Sequence, residues 1–349
     1  MNDLDTLVDL VVKEGASDLH ISEERNPYLR VSGTLVPLTK YPKFTKTLMQ
    51  NILESVLSDS KKSIFKTSQG ADFAYDHKGE RFRAHAFLDQ QKICMVFRHI
   101  LKKIPTLAEL DMPEYLENFA RLKSGFFLVV GPTGHGKSTT LASLIDIINN
   151  ERLENIITIE DPIEYLFTQK KSVIHQREIG TDTPSFATAL HDSFRADMNV
   201  IMVGEMRDPD TMSTAVSAAE TGHLVFSTLH TNNAAQTVDR IIDSFESSQQ
   251  NQIRIQLAAS LSGIFSQRLI PKISGGLVPA YELLINNTAI SNLIRDKRTH
   301  EINTVIETSS QEGMIDFNRC LVQRVNEGKI SVENAYLYST DPKSLEKLL

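Results

Sequence analysis

The chain has 349 residues, long enough for two domains, and its 41% hydrophobic and 23% charged residues are typical of a folded globular protein. A formal net charge of −7 argues against nucleic-acid binding as the main function, because phosphate neutralisation needs clustered lysines and arginines. Two distant cysteines exclude a disulfide framework and a cysteine zinc site, and no apolar run is long enough to span a membrane.

The first part of the chain predicts a small α+β domain. An apolar stripe over 4–14 indicates a helix that Gly15 closes, and a second amphipathic helix is predicted over 46–56. Short strands are predicted at 18–21, 28–31, 34–38, 70–75, 81–87 and 93–98. We therefore assign residues 1–98 to an N-terminal domain and residues 99–106 to a linker.

The second domain, residues 107–349, is predicted to begin with a helix, because Thr106-Leu-Ala-Glu109 matches a capping box. Strands then alternate with helices, which predicts a parallel sheet covered on both faces. The predicted elements are strands 126–130, 156–160, 200–204 and 224–228 and helices 137–149, 185–195 and 209–220. The region after residue 248 is predicted to be largely helical.

Residues 131–138 read Gly-Pro-Thr-Gly-His-Gly-Lys-Ser, an unbroken G-x-x-x-x-G-K-[ST] phosphate-binding loop between a predicted strand and a predicted helix. Lys137 is expected against the β- and γ-phosphates of ATP, and the Ser138 hydroxyl on Mg²⁺. A Gly-rich surface turn is the alternative, which both flanks disfavour. The predicted nucleotide-binding residues are Gly131, Pro132, Thr133, Gly134, His135, Gly136, Lys137, Ser138 and Thr139.

Carboxylates follow the next two predicted strands. Glu160, Asp161 and Glu164 come directly after one strand, and Glu205 follows the next in the manner of a Walker B segment. Ligands bind at the carboxyl ends of strands in open α/β sheets, and ATP hydrolysis needs acids for Mg²⁺ and for the attacking water. Solvated loop carboxylates are the alternative.

Histidines and arginines surround these acids in the sequence. His223 and His230 bracket a predicted strand, and from there they could contact a γ-phosphate, link adjacent subunits or serve only structure. Four arginines are candidates for stabilising transition-state charge, with ordinary surface arginines as the alternative. They are Arg83 and Arg98 on neighbouring strands, and Arg195 and Arg207 beside the acidic segments.

Taken together, these segments resemble the secretion-ATPase superfamily of hexameric motors, specifically the type IV pilus retraction ATPases (PilT-like, including the PilU-like type). The resemblance covers almost the whole chain. The segments that carry it are Gly15–Ile21 and the arginine pair of the N-terminal domain, the Walker A loop, the "Asp box" Thr158–Glu164, the atypical Walker B Val203–Asp208, and the "His box" of Glu220–His223 with Thr228–Asn232.

The resemblance implies a RecA-like P-loop ATPase domain preceded by a small α+β PAS-like domain. Glu164 would polarise the attacking water, with Glu160 a second candidate, and Glu205 would organise Mg²⁺ together with Ser138. The remaining implied members of the catalytic site are His223, His230, Arg83, Arg98, Arg195 and Arg207.

The resemblance also implies a cytoplasmic homo-hexamer that docks on an inner-membrane platform protein and drives pilus retraction and twitching motility. A related retraction ATPase is a further expected partner; nucleic acid is not. Ser291 stands where the retraction motif normally carries Arg, which leaves a main or an accessory motor open. A type II or type IV secretion motor, a nucleic-acid translocase and a nucleotide-binding scaffold are the competing functions.

Overall fold

The structure, a computed structural model, describes residues 3–31, 33–100 and 103–349. The chain divides into two compact units, Met1–Lys102 and Lys103–Leu349. His99 and Ile100, predicted to lie in the linker, complete the last strand of the first unit. None of the helices in the described ranges has the length and apolarity that a membrane crossing requires.

The first unit is one antiparallel sheet with helices packed on it. Its helices are α1 (Asp3–Glu14), α2 (Lys46–Val56) and α3 (Asp59–Ser68), and its strands are β1 (Asp18–Ser22), β2 (Tyr28–Val31), β3 (Thr34–Pro37), β4 (Gly70–His77), β5 (Glu80–Asp89) and β6 (Lys92–Ile100). The strand order is β3-β2-β1-β6-β5-β4. This arrangement confirms the predicted α+β architecture. The sequence did not predict α3, which buries none of its residues.

Alternation along the strands separates the two faces of this sheet. Phe82 and Ala84 of β5 are fully buried in the core, together with Leu19 of β1 and the apolar stripe of α1. Arg83 lies between the two buried β5 residues and therefore points to the opposite face.

The second unit is a seven-stranded sheet between two layers of helices. Its strands are β7 (Gly125–Val130), β8 (Asn155–Glu160), β9 (Val173–Glu178), β10 (Val200–Val203), β11 (Leu224–Leu229), β12 (Leu261–Pro271) and β13 (Leu277–Ile285). Its helices are α4 (Glu117–Ala120), α5 (Lys137–Glu151), α6 (Phe186–Ser193), α7 (Pro209–Glu220), α8 (Ala234–Asp243), α9 (Gln250–Ser260), α10 (Thr288–Arg295), α11 (Ile302–Thr308), α12 (Phe317–Asn326), α13 (Val332–Tyr338) and α14 (Pro342–Leu348). Three short 3-10 helices span Glu114–Leu116, Thr299–Glu301 and Ser310–Glu312.

The strand order of this sheet is β13-β12-β7-β11-β10-β8-β9, and all neighbours pair in parallel except β12 and β13, which are antiparallel. Every residue of β7 is buried: Phe126 and Leu128 face one hydrophobic core, and Phe127 and Val129 face the other. Both faces are covered, as the alternation of strands and helices predicted, and the α/β class is confirmed.

The prediction for the region after residue 248 was incomplete. Helices make up most of this region, as predicted, but it also contains β12 and β13, which form one end of the sheet and which the sequence did not predict. Both strands are buried on both faces over most of their length, so their apolar residues do not alternate with polar ones.

The capping box forms its hydrogen bonds, from Thr106 N–H to Glu109 Oε2 (2.8 Å) and from Glu109 N–H to Thr106 Oγ1 (3.2 Å). The chain turns away at Asp111 (φ 57°), so the predicted helix does not form there.

Candidate functional site

The phosphate-binding loop connects β7 to α5 at the carboxyl edge of the parallel sheet. Gly131 has φ 143°, and a Cβ there would lie 2.2 Å from the carbonyl oxygen of Gln267 on β12. Glycine is therefore required, because any side chain would collide with a neighbouring backbone. α5 begins at Lys137, so its free N–H groups open toward the loop.

Lys137 places a cation at this helix start. Its side chain is buried, and Nζ donates to the carbonyl oxygens of Gly131 and Pro132, each at 2.8 Å. Burial lowers the pKa of Lys137, while the charges of Glu205 and Glu164 act to raise it. These two carboxylates follow different strands, so the fold brings the predicted lysine and acids together at one edge.

His230 joins the loop to Glu205. Its Nδ1 lies 3.3 Å from Lys137 Nζ and 3.4 Å from Thr133 Oγ1, and its Nε2 lies 3.4 Å from Glu205 Oε2. A proton on Nε2 lets the ring donate to Glu205 and accept from Lys137. His230 follows β11, and Glu205 follows β10, so both side chains come from carboxyl ends of neighbouring strands.

Arg207 is a second cation beside the acids of this group. Its guanidinium donates to Glu205 Oε1 and lies 3.8 Å from Asp161 Oδ2. Burial acts to raise the pKa of the Glu205 carboxyl, but Arg207 and His230 outweigh burial, and the pKa falls below its ordinary value. Glu205 is therefore held ionised, as a carboxylate that binds a cation must be.

Glu160 and Glu164 have different environments. Glu160 is 7% exposed and accepts from Thr158 Oγ1 (2.6 Å) and from the Glu164 N–H (3.4 Å). Burial raises the pKa of Glu160 to about 7. Glu164 is exposed. The exposed carboxylate is accessible to water and substrate, whereas the buried one supports the backbone that carries it.

Three residues of this region carried no sequence signal. Gln176 of β9 donates to Glu160 Oε1 (3.3 Å) and to the Tyr165 carbonyl (2.8 Å), and the Tyr165 hydroxyl lies 2.9 Å from Thr139 Oγ1. Gln267 of β12 contacts the phosphate-binding loop. Because two of these side chains lie on β9 and β12, which the sequence did not predict, only the sheet pairing could reveal them.

His223 does not join this group within one chain. It precedes β11, and its carbonyl accepts the N–H of Gly125, the first residue of β7, at 3.0 Å. The loop follows the last residue of that strand, so His223 lies at the opposite, amino edge of the sheet, about 20 Å away at ~3.3 Å per residue. Its Nδ1 is 2.9 Å from the Ala218 carbonyl, and its ring packs edge-on against Phe194.

Arg195 lies at the same amino edge. It follows α6, and the next two carbonyls, of Ala196 and Asp197, accept from the Asn155 side chain at the start of β8. Within one chain, the fold therefore does not bring His223 and Arg195 to the carboxyl edge where His230 lies, and their part in the site stays a prediction. Of the two candidate arginines in the second unit, the fold places Arg207 beside the acids.

Arg83 and Arg98 lie in the first unit and are direct cross-strand partners of β5 and β6. Arg98 Nε donates to Asp18 Oδ1 at 2.8 Å, and Arg30 Nε lies 3.7 Å from Asp18 Oδ2. One buried carboxylate therefore faces two arginines, and Arg83 adds a third cation to the same sheet face.

Oxygen ligands for a hard cation are present at the carboxyl edge of the second unit. Ser138 is exposed in the first turn of α5, and Glu205 is ionised at the end of β10. Within the described ranges, no cluster of three or more His, Cys, Asp or Glu side chains is arranged to hold a metal by itself. The site therefore fits Mg²⁺, which keeps water and phosphate oxygens as most of its ligands.

Known proteins are similar to this chain in both sequence and architecture. A sequence model of the family described as "Type II/IV secretion system protein" matches residues 1–292. The type IV pilus retractation ATPase PilT of Pseudomonas aeruginosa is 41% identical over 334 residues, covering 95% of this chain and 97% of PilT. The type IV pilus ATPase PilU of the same organism is 37% identical over 349 residues, covering 99% of this chain and 91% of PilU.

A solved structure agrees with these relatives. The crystal structure of the pilus retraction motor PilT with bound ADP superimposes with a TM-score of 0.93 at 43% identity, covering 99% of both chains.

Proposed function

The chain belongs to the type II/IV secretion system protein family, and from that premise we propose that it is an ATPase motor that drives retraction of type IV pili. The single observation that carries the enzymatic part is the contact chain Lys137–His230–Glu205. It joins the phosphate-binding loop to the carboxylate at the end of β10, and these are the two parts that phosphoryl transfer needs together.

The chemistry follows from the environment of each side chain. The loop N–H groups and Lys137 bind the phosphates, and the exposed Glu164 orients and polarises the attacking water. Glu160 positions Glu164 by accepting its backbone N–H. Ser138 and, through water, Glu205 would hold Mg²⁺, which would supply positive charge to the phosphates.

The motor part of the proposal rests on the relatives. We propose a homo-hexamer on the cytoplasmic side that docks on an inner-membrane platform protein of the pilus machine. Arg83 and Arg98 would contribute their charge to a nucleotide from a neighbouring position around the ring. His223 and Arg195, exposed or half-exposed at the amino edge, would serve contacts between subunits.

An accessory role beside another retraction ATPase is the second candidate, and one observation favours it. Ser291, where the retraction motif normally has Arg, is 9% exposed, and its hydroxyl donates to the Ala258 carbonyl (2.9 Å) and Asn286 Oδ1 (3.1 Å). The position is thus part of the packing between α9 and α10, where an accessible arginine would be needed for contact with a partner.

The enzymatic proposal is tested by ATP hydrolysis of the purified chain. We expect Lys137→Ala and Glu205→Ala each to lower kcat by about 100-fold or more, the scale of losing one preorganised electrostatic group. Lys123→Ala, an exposed lysine before β7 at the amino edge, is the matched control and should keep the parental rate. A Lys137→Ala protein as active as Lys123→Ala would contradict the proposal.

The cellular proposal is tested in a deletion strain of the source organism. Pilus retraction and twitching should be lost, and should return with the wild-type gene but not with Lys137→Ala. Loss of secretion with normal twitching would instead select a secretion motor, and retraction that weakens only under load or in a sensitised strain would select the accessory role. ATPase activity stimulated by DNA with steep salt dependence would select a translocase.

A further inference from the structure

β12 holds the phosphate-binding loop from the side, through His135. The His135 carbonyl accepts from Gln267 Nε2 at 2.7 Å, and the His135 Nδ1 accepts the backbone N–H of Leu269 at 2.8 Å. One residue of the loop is therefore bound twice to the adjacent strand, once through its backbone and once through its ring.

Gln267 extends this support into α5. Its side chain is 2% exposed, and while Nε2 binds the loop, Oε1 accepts from the hydroxyl of the fully buried Thr140 at 2.7 Å. Both halves of the amide are satisfied, which fixes its orientation. The same residue's backbone carbonyl lies against Gly131, so Gln267 contacts the loop at its first residue as well as at His135.

We propose that His135 and Gln267 are positioning residues for nucleotide binding: together they fix the phosphate-binding loop on β12 in the shape that receives the phosphates. This inference rests on the proposed ATPase function for its ligand. Neither side chain needs to touch the nucleotide, because the cradle consists of the backbone N–H groups that they hold in place.

The ring can do this only when it is neutral. Nδ1 accepts a hydrogen bond, so the single ring proton resides on Nε2. Burial lowers the pKa of His135, and the charges that face it, Arg268 from β12 and Lys137 from α5, lower it further. Protonation turns Nδ1 into a donor opposed to the Leu269 N–H, so the contact is complete above the ordinary pKa of about 6.5 and is lost as the pH falls through the lowered pKa of the folded protein.

Two substitutions of His135 distinguish the loss of its hydrogen bond to Leu269 from the loss of its titration. His135→Ala removes the acceptor, and we expect the Kd for ADP, measured with a fluorescent ADP at pH 7.5, to rise roughly fivefold, the usual effect of one hydrogen bond. In His135→Asn, the side-chain oxygen replaces Nδ1 as an acceptor that does not titrate, and the Kd should stay within about twofold of wild type. Gln267→Leu, of similar volume, should weaken binding at least as much as His135→Ala.

The pH dependence of the Kd for ADP distinguishes this contact from a merely structural one, which would leave that dependence unchanged. Between pH 7.5 and 5.5 the Kd of wild type should rise more steeply than that of His135→Asn, in which only the titration of ADP and of other groups remains. Parallel profiles for wild type and His135→Asn, or an unchanged Kd in His135→Ala, would overturn the proposal.

Hydrogen exchange at the Leu269 amide tests the contact without any nucleotide. Protection should be high in wild type and His135→Asn and lower in His135→Ala; equal protection in all three would overturn the proposal. A wild-type protein that protects Leu269 but binds no nucleotide would instead refute the proposed function, so the two failures are distinguishable.

Discussion

The His230 imidazole lies 3.3 Å from Lys137 Nζ, so two residues 93 positions apart in sequence meet inside the phosphate-binding site. The other ring nitrogen of His230 reaches Glu205. A substitution at any one of these three side chains therefore changes the electrostatic environment of the other two.

Replacing His230 should impair hydrolysis. We expect His230→Ala to lower kcat/KM for ATP by about 10- to 100-fold, because hydrogen bonds to charged groups contribute about 1.5–3 kcal/mol each. Lys123→Ala, at an exposed position on the opposite edge of the sheet, is the control, and its kcat/KM should stay within about twofold of wild type. Equal losses of kcat/KM in both variants would contradict the role of His230.

Removing Arg207 should change the pH dependence of hydrolysis. The Arg207 guanidinium holds the pKa of Glu205 down, so Arg207→Gln should raise that pKa, and the activity that needs an ionised Glu205 should disappear at a higher pH. The acid limb of the kcat/KM profile measures this shift. Arg240→Gln, at an exposed position on α8, should leave the limb in place.

Glu164 and Glu160 should respond differently to neutral substitution. Glu164→Gln removes the exposed carboxylate, and we expect kcat to fall by roughly 10²- to 10⁴-fold with nearly unchanged ADP affinity. Glu160→Gln should cost less, because this buried side chain supports the backbone and Gln keeps one of the two acceptor oxygens, which bind Thr158 Oγ1 and the Glu164 N–H separately. Single-turnover hydrolysis compares the rates of the two variants. A larger loss of rate in Glu160→Gln would show that Glu160, and not Glu164, acts on the attacking water.

Glu282 should make the protein less stable as the pH rises. This residue of β13 is 7% exposed and accepts the Ala234 N–H at 2.7 Å, and burial raises its pKa to about 7. The folded state therefore binds the proton more tightly than the unfolded state, and the free energy of unfolding decreases between about pH 4.5 and 7.

Glu282→Gln imitates the protonated acid. In urea unfolding it should match wild type near pH 5 and exceed it by up to about 3 kcal/mol at pH 8, since one pKa unit corresponds to about 1.4 kcal/mol. A constant difference between the two proteins across this range would contradict the assignment.

Ser291→Arg should destabilise the second unit. The serine hydroxyl is buried between α9 and α10, so a long charged side chain has to displace its neighbours, at a cost of about 1–3 kcal/mol in the free energy of unfolding. Asn292→Arg, on the exposed side of the same helix, should stay within about 0.5 kcal/mol of wild type. If Ser291→Arg keeps full stability, α9 and α10 have room for the arginine of the motif.

Much of the site could be predicted from local sequence. The loop needs only its own residues, and Glu205 and His230 meet because both follow parallel strands whose carboxyl ends share an edge. The same rule separates His223 from His230, because His223 precedes β11 and therefore lies at its amino end, whereas His230 follows the carboxyl end of that strand. Gln267 could not be found in this way, because its contact with His135 spans 132 positions and depends on β12 pairing with β7.

The position of β12 also determines how small a working fragment of this protein can be. Every motif that identifies the nucleotide site ends by Asn232, so a chain cut at Ser260 would retain all of them. Such a fragment would nevertheless leave one edge of β7 unpaired and Gly131 without the strand that covers it. The segment that contains all the motifs is thus too short to fold by itself. Truncated forms of this ATPase unit should extend at least through β13.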